Sequence, residues 1–493
     1  MIEIKLPKIK VNSQKVGFFR FKKSKNNRYL LTNDLGEYII LPARDFQKFV
    51  KGKIRETDPV YPILQEQGLI RDKMDFFTLI SEYQKKNLFL YQGPSLHIIV
   101  VTLRCNQKCV YCQASSRGEN EKGYDLDMDS AKKIVDIIFT SPSQSIAIEF
   151  QGGEPLLNWP VVEFIIKYAR EKNKTENKDL EMRLVSNFSL MDEDKLGFLV
   201  NHSVTLCTSL DGPEELHNKN RIWLKGNNYK HTINWLKKAQ KVYKNKLENI
   251  FRPGALVTVS RLSLKYPKEI VQEYINRGIE AIFIRPMTPL GVAKDRWERI
   301  GYSAEEYIKF YKKALSYVIT YNLNNPKTRF HENFAKIILA KILTEYDPNY
   351  LELRSPCGAG IGQILYNYDG RIYTCDEGRM VGEETFCIGD VKKDRYEDII
   401  SHSTVKSLCL ASCLDGLPCD SCVYKPYCGV CPIYNYATSG NIFSQMPLND
   451  RCKIMKGTLD FIFEKIENKR IREIFVKWAK YTLPESMNKN RDR

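Results

Sequence analysis

The sequence predicts an α/β protein: a partial (β/α)6 barrel of the TIM type with a smaller unit on either side. Two observations predict this fold. Apolar, β-branched runs of strand length alternate with helical patterns from residue 93 to residue 300. Ten of the 14 cysteines then lie between Cys357 and Cys452, in a stretch rich in glycine, proline and tyrosine. The alternation indicates a parallel sheet, and the cysteines indicate a unit that binds metal.

Residues 1–92 are predicted to form a small winged-helix-like domain. Short extended runs at 16–21, 28–31 and 37–41 are separated by turn signals, and two amphipathic stretches follow at 45–50 and 62–69. Gly93-Pro94 is a natural boundary, because both residue types interrupt regular structure.

Six strand–helix units are predicted between residues 93 and 300. Buried strands that alternate with helices are typical of parallel β/α folds, and six of them suggest a partial barrel. The predicted strands are 96–103, 145–150, 181–185, 204–208, 255–259 and 281–284, and the predicted helices are 129–139, 160–172, 192–200, 230–243 and 267–277.

A polar or glycine-rich segment follows each predicted strand. In parallel β/α barrels the active site is built from the loops at the carboxyl ends of the strands. Turns or helix caps account for one or two such segments but not for six in series. The segments are Arg104-Cys105, QGGEP (151–155), Ser186-Asn187, SLDGP (209–213), Ser260-Arg261 and Arg285-Pro286.

Three segments complete the predicted organisation. Residues 301–353 have the pattern of a helical connector, residues 354–455 form the cysteine-rich domain, and residues 456–493 form a C-terminal amphipathic helix and tail. A chain of 493 residues is long enough for several such units.

Composition and charge indicate the cellular location of the protein and the classes of partner that it binds. No run approaches 18 apolar residues and the first residues lack a signal-peptide core, so we expect a cytoplasmic protein without a membrane span. The net charge of +17 favours anionic partners such as an acidic peptide. Nucleic acid is disfavoured, because no arginine-rich or aromatic-interleaved stripe accompanies the charge.

The clustered cysteines predict metal ligation, because disulfides rarely persist in the cytoplasm. Cys105, Cys109 and Cys112 follow the first barrel strand and can hold three irons of a [4Fe–4S] cluster, with the fourth iron left open. The alternatives are an accidental group of thiols or an incomplete zinc site. For the C-terminal cysteines the alternative is one or two zinc ribbons.

Three motifs carry a resemblance to a known family. CNQKCVYC (105–112) resembles the signature of the radical S-adenosylmethionine (SAM) superfamily, QGGEP resembles its methionine-binding motif, and SLDGPEELHNKNR (209–221) resembles a segment of its peptide-modifying branch. The resemblance implies that the open iron binds SAM and that an electron from a flavodoxin- or ferredoxin-type reductant cleaves it. The resulting 5′-deoxyadenosyl radical then removes a substrate hydrogen atom.

The resemblance also implies which residues bind SAM. The group Gly152, Gly153 and Glu154 is expected to meet the methionine amino group. Ile284 is expected to pack on the adenine. The candidates for the SAM carboxylate and ribose are Gln151, Asn187, Ser209, Asp211 and Arg221. For each polar residue taken singly, a turn or cap is the competing explanation.

The C-terminal cysteines resemble a SPASM domain, which implies two auxiliary [4Fe–4S] clusters and three clusters in all. Cys357, Cys375 and Cys431 would bind the inner cluster. The usual fourth inner cysteine is missing near Gln363, so Cys387 is the candidate replacement, or one iron is open. The outer ligands would be Cys419, Cys422, Cys428 and Cys452, and the spacing from Cys428 to Cys431 is one residue shorter than usual.

The sequence also suggests roles for four other residues. Asp376 follows Cys375 at the position where sulfatase maturases have an aspartate base, which makes it a tentative catalytic base; a salt-bridged turn is the alternative. Cys409 and Cys413 fit neither cluster pattern and are expected to be free thiols. Cys207 is expected to be a core residue.

Longer stretches are similar to the His-Xaa-Ser system radical SAM maturases. They include LLTNDLGEY (30–38), YNYDGRIYTCDEGRM (366–380) and YCGVCP (427–432). This similarity implies an enzyme that crosslinks a ribosomally made precursor peptide, through a C–C or C–heteroatom bond. The N-terminal domain would then read the leader sequence by β-augmentation, or simply cap the barrel. The alternatives are formylglycine formation by an anaerobic sulfatase maturase and, in another class, a non-catalytic iron–sulfur electron carrier.

Overall fold

The computed structural model describes residues 10–72, 74–246 and 252–484. The outer ends of the first and last predicted domains, residues 1–9 and 485–493, lie outside the described residues, as does most of the segment tested for a signal peptide. The N-terminal unit is a three-stranded antiparallel sheet, in the order β1-β2-β3, followed by three helices. Its elements are β1 Arg20–Lys23, β2 Arg28–Thr32, β3 Tyr38–Pro42, α1 Ala43–Val50, α2 Tyr61–Glu66 and α3 Phe76–Asn87.

The predicted strand–helix alternation is confirmed between residues 93 and 300. Strands β4, β8, β9, β10, β12 and β14 pair as parallel neighbours in chain order, which is the arrangement of a partial barrel. The elements are β4 Leu96–Thr102, β5 Arg104–Cys105, β6 Lys108–Cys109, β7 Arg117–Gly118, α4 Met128–Phe139, β8 Ser145–Gly152, α5 Trp159–Glu176, β9 Asp179–Val185, α6 Glu193–Asn201, β10 Val204–Ser209, α7 Glu214–Asn220, β11 Arg221–Ile222, α8 Asn228–Lys246, β12 Gly254–Val259, α9 Pro267–Asn276, β13 Ala281–Ile282 and β14 Ile284–Pro286.

The sixth barrel strand lies further along the chain than predicted. The residues expected to form it, 281–284, are split: β13 pairs with β15 (His331–Glu332), and only β14 joins the barrel sheet beside β12. The partner of β13 is about fifty residues away in sequence, so the local pattern could not reveal the division.

The remaining elements include a seventh strand in the barrel sheet. Strand β16 pairs in parallel with β4, and β17 and β18 continue the sheet as an antiparallel hairpin. The cysteine-rich region is therefore attached to the barrel by main-chain hydrogen bonds. The elements are α10 Val292–Asp295, α11 Trp297–Ile300, α12 Ala304–Asn324, α13 Asn333–Leu343, β16 Gln363–Tyr366, β17 Arg371–Tyr373, α14 Asp376–Met380, β18 Cys387–Asp390, α15 Tyr396–Ile400, α16 Ser403–Ser412, α17 Pro432–Ser439, α18 Asp450–Ile466 and α19 Lys469–Lys480.

The N-terminal unit packs against the cysteine-rich region and α18. The Thr32 hydroxyl donates to the Val423 carbonyl (2.7 Å), and the Tyr427 hydroxyl donates to the Gly36 carbonyl (2.7 Å). The ring of Tyr38 lies edge-on to that of Phe463 on α18, with centroids 5.4 Å apart. The N-terminal sheet is thus placed close to the outer cysteines.

No helix within the described ranges is both long and apolar enough to cross a membrane.

Glu332 connects the end of the barrel to the helical connector. Its buried carboxylate accepts hydrogen bonds from the main chain of Ile284 on β14 (3.1 Å) and of Ala335 on α13 (2.6 Å), and from the Tyr311 hydroxyl of α12 (2.7 Å). Removal of this acceptor leaves several buried donors without partners, each at a cost of about 1–3 kcal/mol.

We expect Glu332→Ala to lower the apparent melting temperature, and Glu332→Gln to lower it less because one acceptor oxygen remains. Anaerobic thermal unfolding followed by circular dichroism measures both. Glu171→Ala is the matched control, since Glu171 forms only an exposed pair with Lys174. Equal melting temperatures for Glu332→Ala and Glu171→Ala would contradict this role.

Candidate active site and metal centres

The loop that carries the first three cysteines is held by the segment after the fourth barrel strand. Strand β6, which ends at Cys109, pairs antiparallel with β11, and Cys109 lies opposite Arg221. The Val110 amide donates to the Asn220 carbonyl (2.9 Å). The two motifs CNQKCVYC and SLDGPEELHNKNR are therefore in direct main-chain contact.

Several donors are directed at the sulfur atoms of this loop. The Gln107 amide lies 3.4 Å from Cys105 Sγ, and the Asn187 side-chain amide lies 3.9 Å from the same sulfur. Arg221 Nη1 lies 3.7 Å from Cys109 Sγ. Burial raises the pKa of the Cys109 thiol to about 11, and bound iron would reverse this by binding the thiolate. Hydrogen bonds to the sulfur ligands tune the reduction potential of an iron–sulfur cluster, so these donors are compatible with one here.

Asp211 and Arg221 form a buried ion pair behind the loop. Arg221 Nε lies 3.4 Å from Asp211 Oδ1, the Tyr111 hydroxyl donates to Asp211 Oδ2, and the guanidinium lies over the Tyr111 ring at 5.5 Å. Asp211 is fully buried. These contacts assign both side chains to the support of the cysteine loop, and their expected contact with SAM stays a prediction.

Glu154 joins the loops that follow β8 and β9. Its carboxylate is fully buried and accepts hydrogen bonds from the Ser186 hydroxyl (2.7 Å), the Asn187 amide (2.7 Å) and the Leu156 amide (3.1 Å). Burial raises its pKa to about 7 even though these donors favour the carboxylate. Each carboxylate oxygen can accept more than one hydrogen bond, and the contact of Gly152, Gly153 and Glu154 with the methionine amino group stays a prediction.

Gly152 and Gly153 lie against the end of the first barrel strand. A Cβ atom at Gly152 would be 2.0 Å from the Thr102 carbonyl oxygen, and one at Gly153 would be 2.2 Å from the Arg104 carbonyl oxygen. Gly152 also has φ +139°, a conformation that side chains disfavour. The glycines are thus required for contact with β4, next to Cys105, whatever they contribute to cofactor binding.

The other predicted SAM residues lie along the same rim. Gln151 donates to the Glu149 carboxylate (2.6 Å), and Asn187 donates to Asn106 Oδ1 (3.2 Å). Ser209 is the last residue of β10 and is half-buried. Ile284 belongs to the main hydrophobic core and is 1% exposed. Their roles toward SAM stay predictions.

A charged network that was not predicted from the sequence also lies at this rim. Arg285, at the end of the sixth barrel strand, pairs with Glu352, and Arg451 pairs with the other oxygen of Glu352 (3.0 Å). Although burial opposes ionisation, the two guanidinium groups lower the pKa of Glu352. The only sequence signal was the position of Arg285 after a strand, because its partners lie far away in sequence.

The four outer cysteines line one cavity. Its other walls include Leu414, Met446, Met455 and Leu459, so it is largely apolar. Burial, reinforced by the neighbouring thiols, raises the pKa of Cys428 to about 12. The predicted outer set is thereby brought together, and its members are Cys419, Cys422, Cys428 and Cys452.

The three predicted inner cysteines lie in a second hydrophobic cluster, on the face of β4 that carries Ile98 and Val100. Cys375 and Cys431 precede α14 and α17, and each sulfur accepts a hydrogen bond from a first-turn amide at 3.3 Å. Helix N-termini favour thiolates. Cys357 is hydrogen-bonded through its amide to Ser412 (2.9 Å).

Of the remaining cysteines, Cys387 packs against the same hydrophobic cluster as the three inner ones. Cys387 lies on β18 opposite Tyr373, and its thiol donates to the Gly389 carbonyl (3.5 Å). Cys413 donates to Asp415 (3.9 Å), Cys409 lies on α16, and Cys207 lies half-buried on β10. A ligand role for Cys387 stays a prediction.

The described cysteines do not form a closed zinc site. Tetrahedral zinc with Zn–S bonds of about 2.3 Å holds its sulfurs about 3.8 Å apart. In the described ranges 10–72, 74–246 and 252–484, no three cysteine sulfurs lie within 4.8 Å of one another.

Comparison with known proteins agrees with this site. The family model of the radical SAM superfamily matches residues 99–255. These residues form a radical SAM domain. Such a domain binds SAM and an iron–sulfur cluster, and it supports an enzyme over the non-catalytic electron carrier. The motifs identified in the sequence lie inside or beside the matched residues.

Three relatives extend the likeness beyond the barrel. The cysteine-type anaerobic sulfatase-maturating enzyme of Clostridium perfringens is 25% identical over 395 residues, which is 76% of this chain and 98% of that protein. Native anSMEcpe with bound AdoMet, another name for SAM, superposes with a TM-score of 0.64 at 18% identity, over 78% of this chain and 99% of that one. Streptococcus suis SuiB bound to precursor peptide SuiA gives 0.54 at 15% identity, over 87% and 98%. At these identities the structural likeness concerns the fold, and none of the three supports the His-Xaa-Ser subgroup, which stays a prediction.

We expect Gly153→Ala to prevent assembly of the first cluster, because the added Cβ would overlap the Arg104 carbonyl beside Cys105. The measurement is iron and sulfide content after anaerobic reconstitution. Gly197→Ala is the matched control: nothing lies within 4 Å of its added Cβ, and alanine favours a helix by about 1 kcal/mol. Full iron content in Gly153→Ala would refute the steric argument.

Proposed function

We propose that this protein is a radical SAM maturase that crosslinks a ribosomally made precursor peptide and binds three [4Fe–4S] clusters. Cys105, Cys109 and Cys112 would hold the SAM-binding cluster. The inner and outer auxiliary clusters would be held by the C-terminal cysteines. The observation that carries the proposal is the pairing of β16 with β4, which attaches two further thiol sets to the barrel that bears the first.

When bound by Cys105, Cys109 and Cys112 and reduced by a flavodoxin- or ferredoxin-type partner, the cluster would supply the one-electron cleavage of SAM that the superfamily uses to remove a substrate hydrogen atom. The side chains of this protein hold the loops around the first cysteine set in position. Arg221 and Asp211 hold the Cys109 loop, and Glu154 ties the neighbouring loops together. Asp376, half-buried beside Cys375, is the proposed acceptor of the substrate proton.

The N-terminal unit offers a place for the leader sequence. A groove of about 660 Å³ runs between residues 16–19 and α3, and its lining is mostly apolar. Phe18 and Phe76 are each 57% exposed there. A contiguous exposed apolar groove in a domain of this kind is typical of a peptide-binding site. We therefore propose that the leader binds in this groove, and that the positive charge of the chain attracts an acidic leader.

Sulfatase maturation is the second candidate. It is favoured by the near full-length match to a sulfatase-maturating enzyme and by Asp376, which follows Cys375. The two functions differ in the product: a crosslink removes two hydrogen atoms from the peptide, whereas formylglycine formation from cysteine removes two hydrogen atoms and also exchanges the sulfur, released as sulfide, for an oxygen atom from water. Mass spectrometry of both peptide classes after incubation with the reduced enzyme and SAM distinguishes them.

We expect Cys109→Ala to abolish 5′-deoxyadenosine formation, because it removes a ligand of the SAM-binding cluster. Cys422→Ala should retain part of that activity but lose the modified peptide. Chromatography of the nucleoside and mass spectrometry of the peptide report the two effects. The wild-type protein should hold about eight to twelve irons, for two or three cubanes. Wild-type behaviour of both variants would overturn the roles, and zinc with about four irons would remove the auxiliary clusters.

We expect Phe76→Asp to weaken binding of the precursor peptide at least tenfold, because the change places a charge in the apolar groove. Fluorescence anisotropy with a labelled leader measures the affinity. Phe77→Asp is the matched control, since Phe77 is 88% exposed and is not among the residues that line the groove. SAM cleavage without peptide should be unchanged in both. An equal loss of affinity in the two variants would place the leader elsewhere.

A further inference from the structure

A cavity adjoins the groove proposed for the leader sequence. It has a volume of about 100 Å³ and is lined by residues of the N-terminal unit, of the helical connector and of the cysteine-rich region. Because a water molecule occupies about 30 Å³, the cavity has room for a carboxylate group. Asp34, Leu35 and Tyr83 line both the groove and this cavity, which we call the junction cavity. A peptide in the groove can therefore extend a side chain into it.

The lining of the junction cavity has an excess of positive charge. Four cations and three acids line it. Each of the acids already has a basic partner: Asp34 pairs with Arg20 (2.7 Å), Asp347 with Lys341 (2.9 Å) and Asp415 with Lys425. The two remaining cations of the lining, Lys86 and Arg354, pair with none of these acids.

Arg354 is a buried cation without a counter-charge from the described residues. It is 7% exposed, and its Nε and Nη2 atoms have no hydrogen-bond partner among those residues. Its guanidinium lies over the Phe89 ring at 4.3 Å. A cation–π contact compensates only part of the cost of burying a charge. An anion in the junction cavity would supply the missing negative charge.

Lys86 adds a second cation to the lining from α3. It is half-buried, and its ammonium group donates to the Leu35 carbonyl. In the part of the chain that the structure describes, no carboxylate oxygen lies within 4.0 Å of its nitrogen. The neighbouring Lys85 is exposed, pairs with Glu82 (2.6 Å) and is not among the residues of the lining. Two adjacent lysines of α3 thus have different surroundings.

We propose that an acidic side chain of the leader sequence binds in the junction cavity, against Arg354 and Lys86. The inference rests on the proposed function and deepens it, because the peptide must lie in the adjoining groove. A guanidinium presents donors in the geometry that a carboxylate accepts, and an ammonium group adds a further donor. The apolar groove would supply affinity, and the acidic side chain would fix the register of the peptide.

The test selects peptides on the full-length, anaerobically reconstituted protein from a phage-displayed library of random sequences. The wild type should enrich peptides with an aspartate or glutamate at one fixed distance from apolar residues. A labelled copy of an enriched peptide should bind at least tenfold more weakly when that acid is changed to its amide. Fluorescence anisotropy measures the affinity. In Arg354→Gln the same change in the peptide should have little effect, because the charge that recognises the acid is gone.

Two further variants separate recognition from folding. Lys86→Gln repeats the test at a half-buried position and should also reduce the discrimination between the acid and its amide. Lys85→Gln is the matched control and should keep the full discrimination, since Lys85 is not part of the lining. Thermal unfolding followed by circular dichroism shows whether each variant is folded.

The outcomes separate the inference from the proposed leader site. If the wild type enriches no peptide, both fail. If it enriches apolar peptides without a fixed acid, or if Arg354→Gln and Lys86→Gln discriminate as the wild type does, the inference alone is wrong. Selected peptides that lack an acid, together with a melting temperature that inorganic phosphate raises in the wild type but not in Arg354→Gln, would assign the junction cavity to a free oxyanion instead.

Discussion

Strand β4 pairs in parallel on both of its edges, and the positions of the cysteine sets depend on this. On one edge it pairs with β8 and on the other with β16. Its carboxyl end leads into the Cys105 loop, and its face carries Ile98 and Val100 against the inner thiols. Because main-chain hydrogen bonds set the register on both sides, the first loop and the inner set are fixed relative to one another. The proposed function, in which a radical forms at one centre and electrons leave through another, would use this fixed arrangement.

The close approach of the neighbouring loop depends on the absence of side chains. The carbonyl oxygens of Thr102 and Arg104 occupy the space that Cβ atoms of Gly152 and Gly153 would take. Glu154 then accepts hydrogen bonds from the next loop, which ends at Asn187 near Cys105. The QGGEP motif thus has a structural role as well as a candidate role in binding. It packs the ends of three strands together around Cys105.

Several charged side chains are buried in the interior, and ion pairs stabilise them. Arg221 with Asp211 and Glu352 with two arginines are compensated groups, so burial costs them little beyond desolvation. The buried thiols differ, because burial is the main cause of their raised pKa values, as at Cys431. Such groups are expected where a cationic iron centre belongs.

The sequence alone determined what depends on residues close together in the chain. Strand and helix periodicity predicted the parallel barrel, and the short spacings among Cys105, Cys109 and Cys112 and among Cys419, Cys422 and Cys428 predicted the thiol sets. Only the tertiary structure decided what depends on distant pairing: the shift of the sixth strand to β14, the attachment of β16 to β4, the hydrogen bonds that Glu154 accepts from the next loop, and the pairing of Glu352 with Arg285 and Arg451. The physical reason is that hydrogen-bond partners and electrostatic neighbours are chosen by the folded arrangement of the chain, which local patterns do not encode.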